Sequence, residues 1–193
     1  MRVQVAGRSV PCEGEVACGD RVVHRTDGDT HLIAVVDALG HGAAAAEVAD
    51  AAVSQLTAAD VGADAEHLMW KLHRGLAGSR GAAVLLLKLA AGRLEGCSVG
   101  NVQMRSVGLD VPSVLSPGIL GVRVRKIRSF EAELRSASRL VLFSDGVSSR
   151  FDLGDVRTLD PTATCDAILA HHRRAHDDAT VVVGDLAPDG ETE

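Results

Sequence analysis

The sequence has almost no aromatic residues: no tyrosine, one tryptophan and three phenylalanines among 193 residues. Its apolar fraction is still 46%, which is typical of a globular protein, and consists mainly of alanine, valine and leucine. A chain of this length buries roughly two-thirds of its unfolded surface and can fold without covalent cross-links. We therefore predict a single domain with an aliphatic core over residues 1–187, followed by a polar, disordered tail at residues 188–193.

Features that mark several other classes of protein are also absent. The 20 Lys and Arg residues are scattered among 26 Asp and Glu residues, so the sequence shows no basic stripe that would follow a nucleic-acid backbone. No apolar run approaches the ~20 residues that a membrane span needs. The four cysteines form no C-x-x-C pair, and the chain opens on Met-Arg-Val-Gln rather than on a signal peptide. These absences predict a cytoplasmic protein with reduced thiols that binds neither nucleic acid nor a membrane.

The hydrophobic pattern predicts strands in close succession, with helices grouped between them. Strand-like runs cover nine segments: 1–10, 21–25, 31–36, 82–89, 94–99, 102–107, 122–130, 139–144 and 179–186. Apolar residues spaced by three and four predict three helices: 42–57, 65–76 and 161–172. This order indicates an α+β layered sandwich rather than alternating parallel βαβ units.

A Gly-Asp pair between the second and third predicted strands is typical of a two-residue hairpin loop. If Gly28 and Asp29 form this loop, the numbers of paired residues sum to 57. Asp20 then lies directly opposite Asp37, which predicts two carboxylates at the open end of one hairpin.

Aspartates stand at the ends of strands that are apolar throughout and are therefore expected to be buried on both faces. Asp37 and Asp145 follow two such strands. Asp20 and the pair Asp177-Asp178 precede two others. In an antiparallel sheet, the ends of strands running one way and the starts of those running the other way share an edge. We expect these carboxylates to converge there, although an aspartate beside a glycine, as at Asp145, is also typical of an ordinary turn.

Carboxylates gathered at a partly buried edge raise one another's pKa, and a divalent cation would compensate their charge. Oxygen ligands suit Mg²⁺ or Mn²⁺, and the sequence offers no His or Cys spacing that would favour zinc. Two such ions ~4 Å apart, bridged by a shared aspartate and a water, would generate a nucleophile for in-line attack on phosphorus. The aspartates therefore predict phosphoester hydrolysis without a phosphoenzyme.

Longer motifs surround these aspartates. Three stand out: Asp37-Ala38-Leu39-Gly40-His41-Gly42, Phe143-Ser144-Asp145-Gly146 and Asp177-Asp178-Ala179-Thr180. Four shorter segments accompany them: Gly19-Asp20, Gly81-Ala82-Ala83, Val99-Gly100-Asn101 and Pro117-Gly118-Ile119-Leu120-Gly121. In order and spacing these segments resemble the protein phosphatase 2C superfamily, in its SpoIIE-like branch, and most closely the RsbX-type stressosome feedback phosphatases. The resemblance covers nearly the whole chain and implies a four-layer αββα sandwich of two antiparallel sheets flanked by helices.

The resemblance also implies a centre of two Mn²⁺ or Mg²⁺ ions between the two sheets. Asp37 would bridge both ions, and the backbone carbonyl of Ala38 would bind one of them. Asp20 would hold that same ion directly or through a water. Asp145 and Asp177 would bind the other ion.

Further residues have supporting roles in this interpretation. Asp178 stands where many relatives have Asn, which implies a role behind the ligands rather than direct ligation. His41 is a candidate general acid for the leaving serine oxygen, because an imidazole pKa near neutrality suits proton donation. A structural or helix-capping role for His41 is an equal alternative, and a metal-bound water could supply the proton instead. The turn formed by Gly40 and Gly42 could bring helix amides toward the phosphate, and Arg80 is one candidate phosphate-binding arginine.

The leading hypothesis is a metal-dependent protein serine/threonine phosphatase. By resemblance, its partners would be phosphorylated STAS-domain proteins of a stressosome-like complex. Only about forty residues separate Asn101 from Asp145, which leaves no room for a flap insertion and predicts an open site suited to a folded protein. One alternative is a non-catalytic scaffold module, which the retained aspartates disfavour. Another is a nucleotide-binding kinase of the anti-sigma type, which lacks an evident Asn-bearing ATP helix.

Overall fold

The structure is a computed structural model that describes residues 1–112 and 114–188. Three helices are described: α1 (Ala43–Thr57), α2 (Ala65–Gly75) and α3 (Pro161–His172). The strands are, in chain order, β1 (Arg2–Val10), β2 (Asp20–Asp27), β3 (Thr30–Ala38), β4 (Ala82–Ala90), β5 (Arg93–Val99), β6 (Gln103–Val107), β7 (Leu115–Ser116), β8 (Gly118–Ile119), β9 (Arg123–Val124), β10 (Ser129–Glu133), β11 (Ser138–Phe143) and β12 (Ala179–Ala187). Apart from Pro188, the predicted disordered tail lies outside the described residues.

Two antiparallel sheets form the centre of the fold. One sheet has the strand order β1-β12-β11-β6, and the other has the order β10-β5-β4-β3-β2. Short β7 adds to β5 in parallel, and β8 pairs with β9 as a separate ribbon. The β2–β3 hairpin turns at Gly28, and its register pairs Asp20 with Asp37. The predicted hairpin and its register are therefore confirmed.

Three buried cores separate four layers. Alternate residues of β3 point to opposite faces of their sheet, as the period of a strand requires. Leu32 and Val36 lie in the core that α1 and α2 cover, whereas Ile33 and Val35 lie in the core between the two sheets. A third core joins β11 and β12 to α3. The αββα sandwich is confirmed, and it explains why strands buried on both faces are apolar at every position.

One predicted strand is wrong. Residues 122–130 do not form a continuous strand, because the chain leaves β9 after Val124 and enters β10 only at Ser129. Between them, Ile127 is buried in the core beneath the helices, and the amide of Arg128 donates to Ser116 Oγ at 2.9 Å. These two contacts anchor the irregular segment between β9 and β10.

Different residues begin the three helices. Asp64 Oδ1 accepts a hydrogen bond from the amide of His67 before α2, and Asp160 Oδ1 accepts one from the amide of Ala163 before α3. At α1 the capping residue is Gly42, with a φ of 74° and no side-chain hydrogen bond to the helix. Within the described ranges, no helix is long and apolar enough to cross a membrane.

Candidate functional site

The predicted carboxylates gather at one edge of the sandwich. Asp20 opens β2 directly opposite Asp37, near the end of β3. Asp145 follows β11, and Asp177 precedes β12, which pairs with β11 in the other sheet. Three of the aspartates line one open cleft of about 580 Å³, together with His41 and Asn101: Asp37, Asp145 and Asp177. Strand polarity therefore brings two strand ends together in each sheet, and the packing of the two sheets brings both pairs to one edge.

Burial and mutual repulsion alter the acidity of these side chains. Burial raises the pKa of Asp37 to about 9, and the negative charges of three neighbours add to the shift: Asp20, Asp145 and Asp177. Burial also raises the pKa of Asp20 to about 7, against the effect of hydrogen bonds from neighbouring side chains. The pKa of Asp177 is raised by burial and then by the charge of Asp145. At this edge of the sandwich, the carboxylates are therefore stabilised either by binding protons or by a cation that compensates their charge.

Hydrogen bonds fix two of the carboxylates. Ser144 Oγ donates to Asp20 Oδ2 at 2.6 Å and accepts from the amide of Thr180 at 2.9 Å. Asn101 Nδ2 donates to Asp145 Oδ2 at 2.6 Å. The other oxygen of Asp20, Oδ1, is buried without a hydrogen-bond partner. An unsatisfied buried polar atom costs about 1–3 kcal/mol, which a bound cation could offset.

The donor set fits a hard divalent cation. In residues 1–112 and 114–188, no group of three or more His, Cys, Asp or Glu side chains is already arranged to hold a metal ion. The carboxylates instead engage Ser144, Asn101 and one another, since Asp37 and Asp145 share a hydrogen bond. The atoms are nevertheless all oxygens, one of them unsatisfied, and a dication would reverse the raised pKa values of Asp20, Asp37 and Asp177. Ala38, the predicted carbonyl ligand, is buried beside Asp37 at the end of β3.

Asp178 lies behind the cleft and is buried. Its Oδ1 accepts from the amide of Cys12 at 2.7 Å, and its Oδ2 accepts from the amide of Gly19 at 2.6 Å. Both oxygens are therefore occupied by the backbone of the loop between β1 and β2. This loop leads into Asp20, so Asp178 fixes the chain that positions Asp20.

Replacing Asp178 with Ala is expected to lower the free energy of unfolding by about 3 kcal/mol, because two buried amides lose charged acceptors. Asp178→Asn keeps one acceptor oxygen and should lose about half as much. Urea denaturation followed by circular dichroism measures both values. An Ala variant within about 0.5 kcal/mol of the wild type would contradict this role.

The glycine turn before α1 forms one wall of the cleft. Gly40 lines the cleft and has a φ of 85°, a left-handed conformation that favours glycine. A Cβ at Gly40 would stand 2.8 Å from Arg80 Nη1, which also donates to the carbonyl of Leu39 at 3.1 Å. Arg80 therefore lies over the turn that carries Gly40, His41 and Gly42.

Sequence reasoning missed an acidic side chain that contacts this turn. Glu15, from the loop between β1 and β2, places Oε1 2.9 Å from His41 Nδ1. His41 thus contacts a carboxylate rather than an amide of α1. His176 was also missed and lines the cleft beside Asp177. Neither Glu15 nor His176 belongs to a periodic pattern or to a motif, so the sequence carried no signal for them.

No family model and no curated protein sequence matches the chain, but solved structures do. A protein from a study of the bacterial stressosome, described as a modular system adapted to control secondary messenger signalling, is 25% identical with a TM-score of 0.87, and the match covers 95% of this chain and 100% of that one. RsbX in complex with magnesium is 23% identical with a TM-score of 0.83, over 96% of each chain. The phosphatase 2C domain of SpoIIE from Bacillus subtilis, with a regulatory fragment, is 18% identical with a TM-score of 0.78, over 96% of this chain and 64% of that one. The chain has the protein phosphatase 2C fold.

The resemblance that the motifs predicted is therefore confirmed by structure. We term the cleft lined by Asp37, Asp145 and Asp177 the aspartate cleft. In this phosphatase 2C fold, it lies where the β2–β3 hairpin of one sheet meets the β11–β12 pair of the other. The three longer motifs all reach this edge, and the shorter motifs at Gly100 and Pro117 line the same cleft. Residues distant in the sequence thus form one continuous site.

Proposed function

We propose that the chain is a metal-dependent phosphatase that hydrolyses phosphoserine or phosphothreonine in a partner protein. The observation that carries the proposal is the set of four aspartates at one open edge of a phosphatase 2C fold. Besides burial, the neighbouring charges that raise the pKa of Asp37 are all negative. Asp20 Oδ1 is buried without a hydrogen-bond partner. Such an arrangement is unfavourable by itself and becomes favourable with a divalent cation. The fold's neighbours are phosphatases, which supports the same reaction class.

The proposed cofactors are two Mn²⁺ or Mg²⁺ ions. Asp37, Asp20 and the carbonyl of Ala38 would hold one ion. Asp145 and Asp177 would hold the other. When bound, such ions lower the pKa of a water and neutralise charge on the phosphoryl group. RsbX was crystallised with magnesium, which supports this choice of metal.

The chain's own side chains would position the reacting groups. Ser144 holds the Asp20 carboxylate, and Asn101 holds that of Asp145, through hydrogen bonds of 2.6 Å each. If the His41 imidazolium donates its Nδ1–H to Glu15 Oε1, its Nε2–H would remain to protonate the leaving serine oxygen as a general acid. Of the glycine turn, Gly40 lines the cleft and would allow close approach of the phosphate, whereas Gly42 packs against the carboxylate of Glu15.

The proposed substrates are phosphorylated STAS-domain proteins of a stressosome-like complex, whose dephosphorylation would reset a signalling response. Similarity to RsbX and to a protein studied in the bacterial stressosome supports this finer assignment. The cleft is also accessible to a folded partner, because it is open and Leu39 on its wall is half exposed.

Incubating the purified chain with a phosphorylated STAS domain and Mn²⁺ is expected to release phosphate, and EDTA should stop the release. A generic phosphoserine peptide is the comparison substrate, and phosphate release is measured colorimetrically. Turnover of the peptide alone would refute the STAS assignment and leave the phosphatase intact. An absence of turnover with both substrates would favour a non-catalytic scaffold.

A further inference from the structure

A cationic segment lies beside the aspartate cleft. Four exposed cations line one groove of about 480 Å³ between β9 and β10: Arg123, Arg125, Lys126 and Arg128. We term this feature the basic groove. It shares Pro117 and Gly118 with the lining of the aspartate cleft, so the two features are contiguous.

The cations of the basic groove have no acidic partners within the part of the chain that the structure describes. Two other surface arginines do have acidic partners: Arg93 pairs with Glu131 and Arg135 with Glu133. The chain as a whole carries a net charge of -6, so the groove reverses the prevailing sign locally. Four like charges in one groove repel one another, and an anionic ligand would relieve that repulsion.

The backbone that carries these cations is fixed. Ile127 is 1% exposed and packs in the core beneath the helices. The amide of Arg128 donates to Ser116 Oγ, and Arg123 pairs with Ile119 in the β8–β9 ribbon. The break in the predicted strand therefore places an apolar side chain inside and cations outside. A ligand would meet a preorganised surface, which lowers the entropic cost of binding.

Apolar side chains lie next to both features. Leu39 is 53% exposed and lines the aspartate cleft, and Val122 is 57% exposed next to Arg123. Both lie near Gly81: its carbonyl accepts from the amide of Leu39, and a Cβ added at this glycine would stand 2.9 Å from Val122 Cγ2. Exposed apolar residues with a charged rim are typical of a protein-binding surface, and a small phosphoester needs none of them.

We propose that the basic groove binds an acidic segment of the phosphoprotein substrate while the phosphoserine occupies the aspartate cleft. The inference rests on the proposed phosphatase function. A protein is favoured over nucleic acid or a lipid surface, because the net charge of -6 repels an extended polyanion and the cations occupy only one groove beside the cleft. Complementary charge would raise the association rate for acidic substrates.

Two phosphoserine peptides that differ only in flanking Glu or Gln residues test the groove. In the Arg125→Gln/Lys126→Gln variant, kcat/KM for the Glu peptide should fall about tenfold, with that for the Gln peptide unchanged. The matched control is Arg2→Gln/Arg157→Gln, which removes the same charge at the opposite edge of the sandwich and should behave as wild type. Raising NaCl from about 50 to about 300 mM should abolish the preference for Glu.

Two further measurements separate this inference from the phosphatase proposal. Hydrolysis of p-nitrophenyl phosphate, which is too small to reach the groove, should be equal in wild type and both variants. Fluorescence anisotropy of the labelled Glu peptide in EDTA reports binding even if no turnover occurs, and the groove variant should bind about tenfold more weakly than the control. Equal binding by the two variants would overturn the inference. The inference would also be overturned if a ~20-bp DNA duplex or phosphatidylserine vesicles bound the wild-type chain more tightly than the Glu peptide does, and if the groove variant lost that binding.

Discussion

Replacing Asp37 with Asn is expected to lower Mn²⁺-dependent hydrolysis of p-nitrophenyl phosphate at least ~100-fold. Asp37 lies opposite Asp20, and three neighbouring carboxylates act on it. In the proposed site, its charge helps to hold the ions. Asn keeps the shape of the side chain and removes that charge. The comparison is made as kcat/KM at saturating Mn²⁺.

The matched control for this variant is Asp29→Asn. Asp29 is exposed in the loop of the same hairpin, at the end of β2 and β3 remote from the cleft. Its replacement should leave activity unchanged. In EDTA, Asp37→Asn should be at least as stable as wild type, because it removes repulsion between carboxylates. Wild-type activity in Asp37→Asn would show that the reaction does not use the aspartate cleft.

Without a divalent cation, the folded chain is expected to lose stability as pH rises from about 4 to about 9. The ordinary pKa of Asp37 is 3.8, and in the folded chain it is raised to about 9. Asp20 is raised from 3.8 to about 7. The folded state therefore binds more protons than the unfolded state within this window, and stability falls with pH. Thermal unfolding in EDTA across this range measures the slope, which should be shallower in Asp37→Asn.

Mn²⁺ should reverse this loss, so its stabilising effect should be larger at about pH 8 than at about pH 5.5. At about a hundred times its dissociation constant, a ligand that binds only the folded state contributes about 2.7 kcal/mol. For a chain of this size that corresponds to an increase in Tm of about 5–10 °C. An equal shift at both pH values, or none at pH 8, would argue against the carboxylates as the binding groups.

Sequence rules that act over a few residues predicted the part of the site that lies within one hairpin. A two-residue loop fixes the register of its hairpin, so Asp20 opposite Asp37 followed from Gly28 and Asp29 alone. The all-apolar strands predicted burial on both faces, and the order of strands and helices indicated the layered sandwich. The meeting of Asp145 with Asp37 required more than strand polarity, because β3 and β11 belong to different sheets and only the packing of the two sheets brings these ends together.

Contacts between residues far apart in the sequence were not predictable in this way. Glu15 reaches His41, Asn101 reaches Asp145, and Asp178 holds the loop before Asp20, none of them through a periodic pattern. The prediction of a strand at residues 122–130 was wrong for a related reason. Alternation of apolar residues there is satisfied by burying Ile127 under the helices rather than by pairing. The four cations of that segment lie within six consecutive residues, so they are a local cluster in the sequence, and the fold places them in one groove beside the aspartate cleft.

Calorimetric titration of Mn²⁺ into the wild-type chain at about pH 8, beside Asp37→Asn and Asp29→Asn, tests the aspartate cleft most directly. We expect about two ions to bind per wild-type or Asp29→Asn chain, and binding to be strongly weakened in Asp37→Asn. A wild-type chain that binds no Mn²⁺, or an Asp37→Asn chain that binds it as tightly as wild type, would contradict the proposed site.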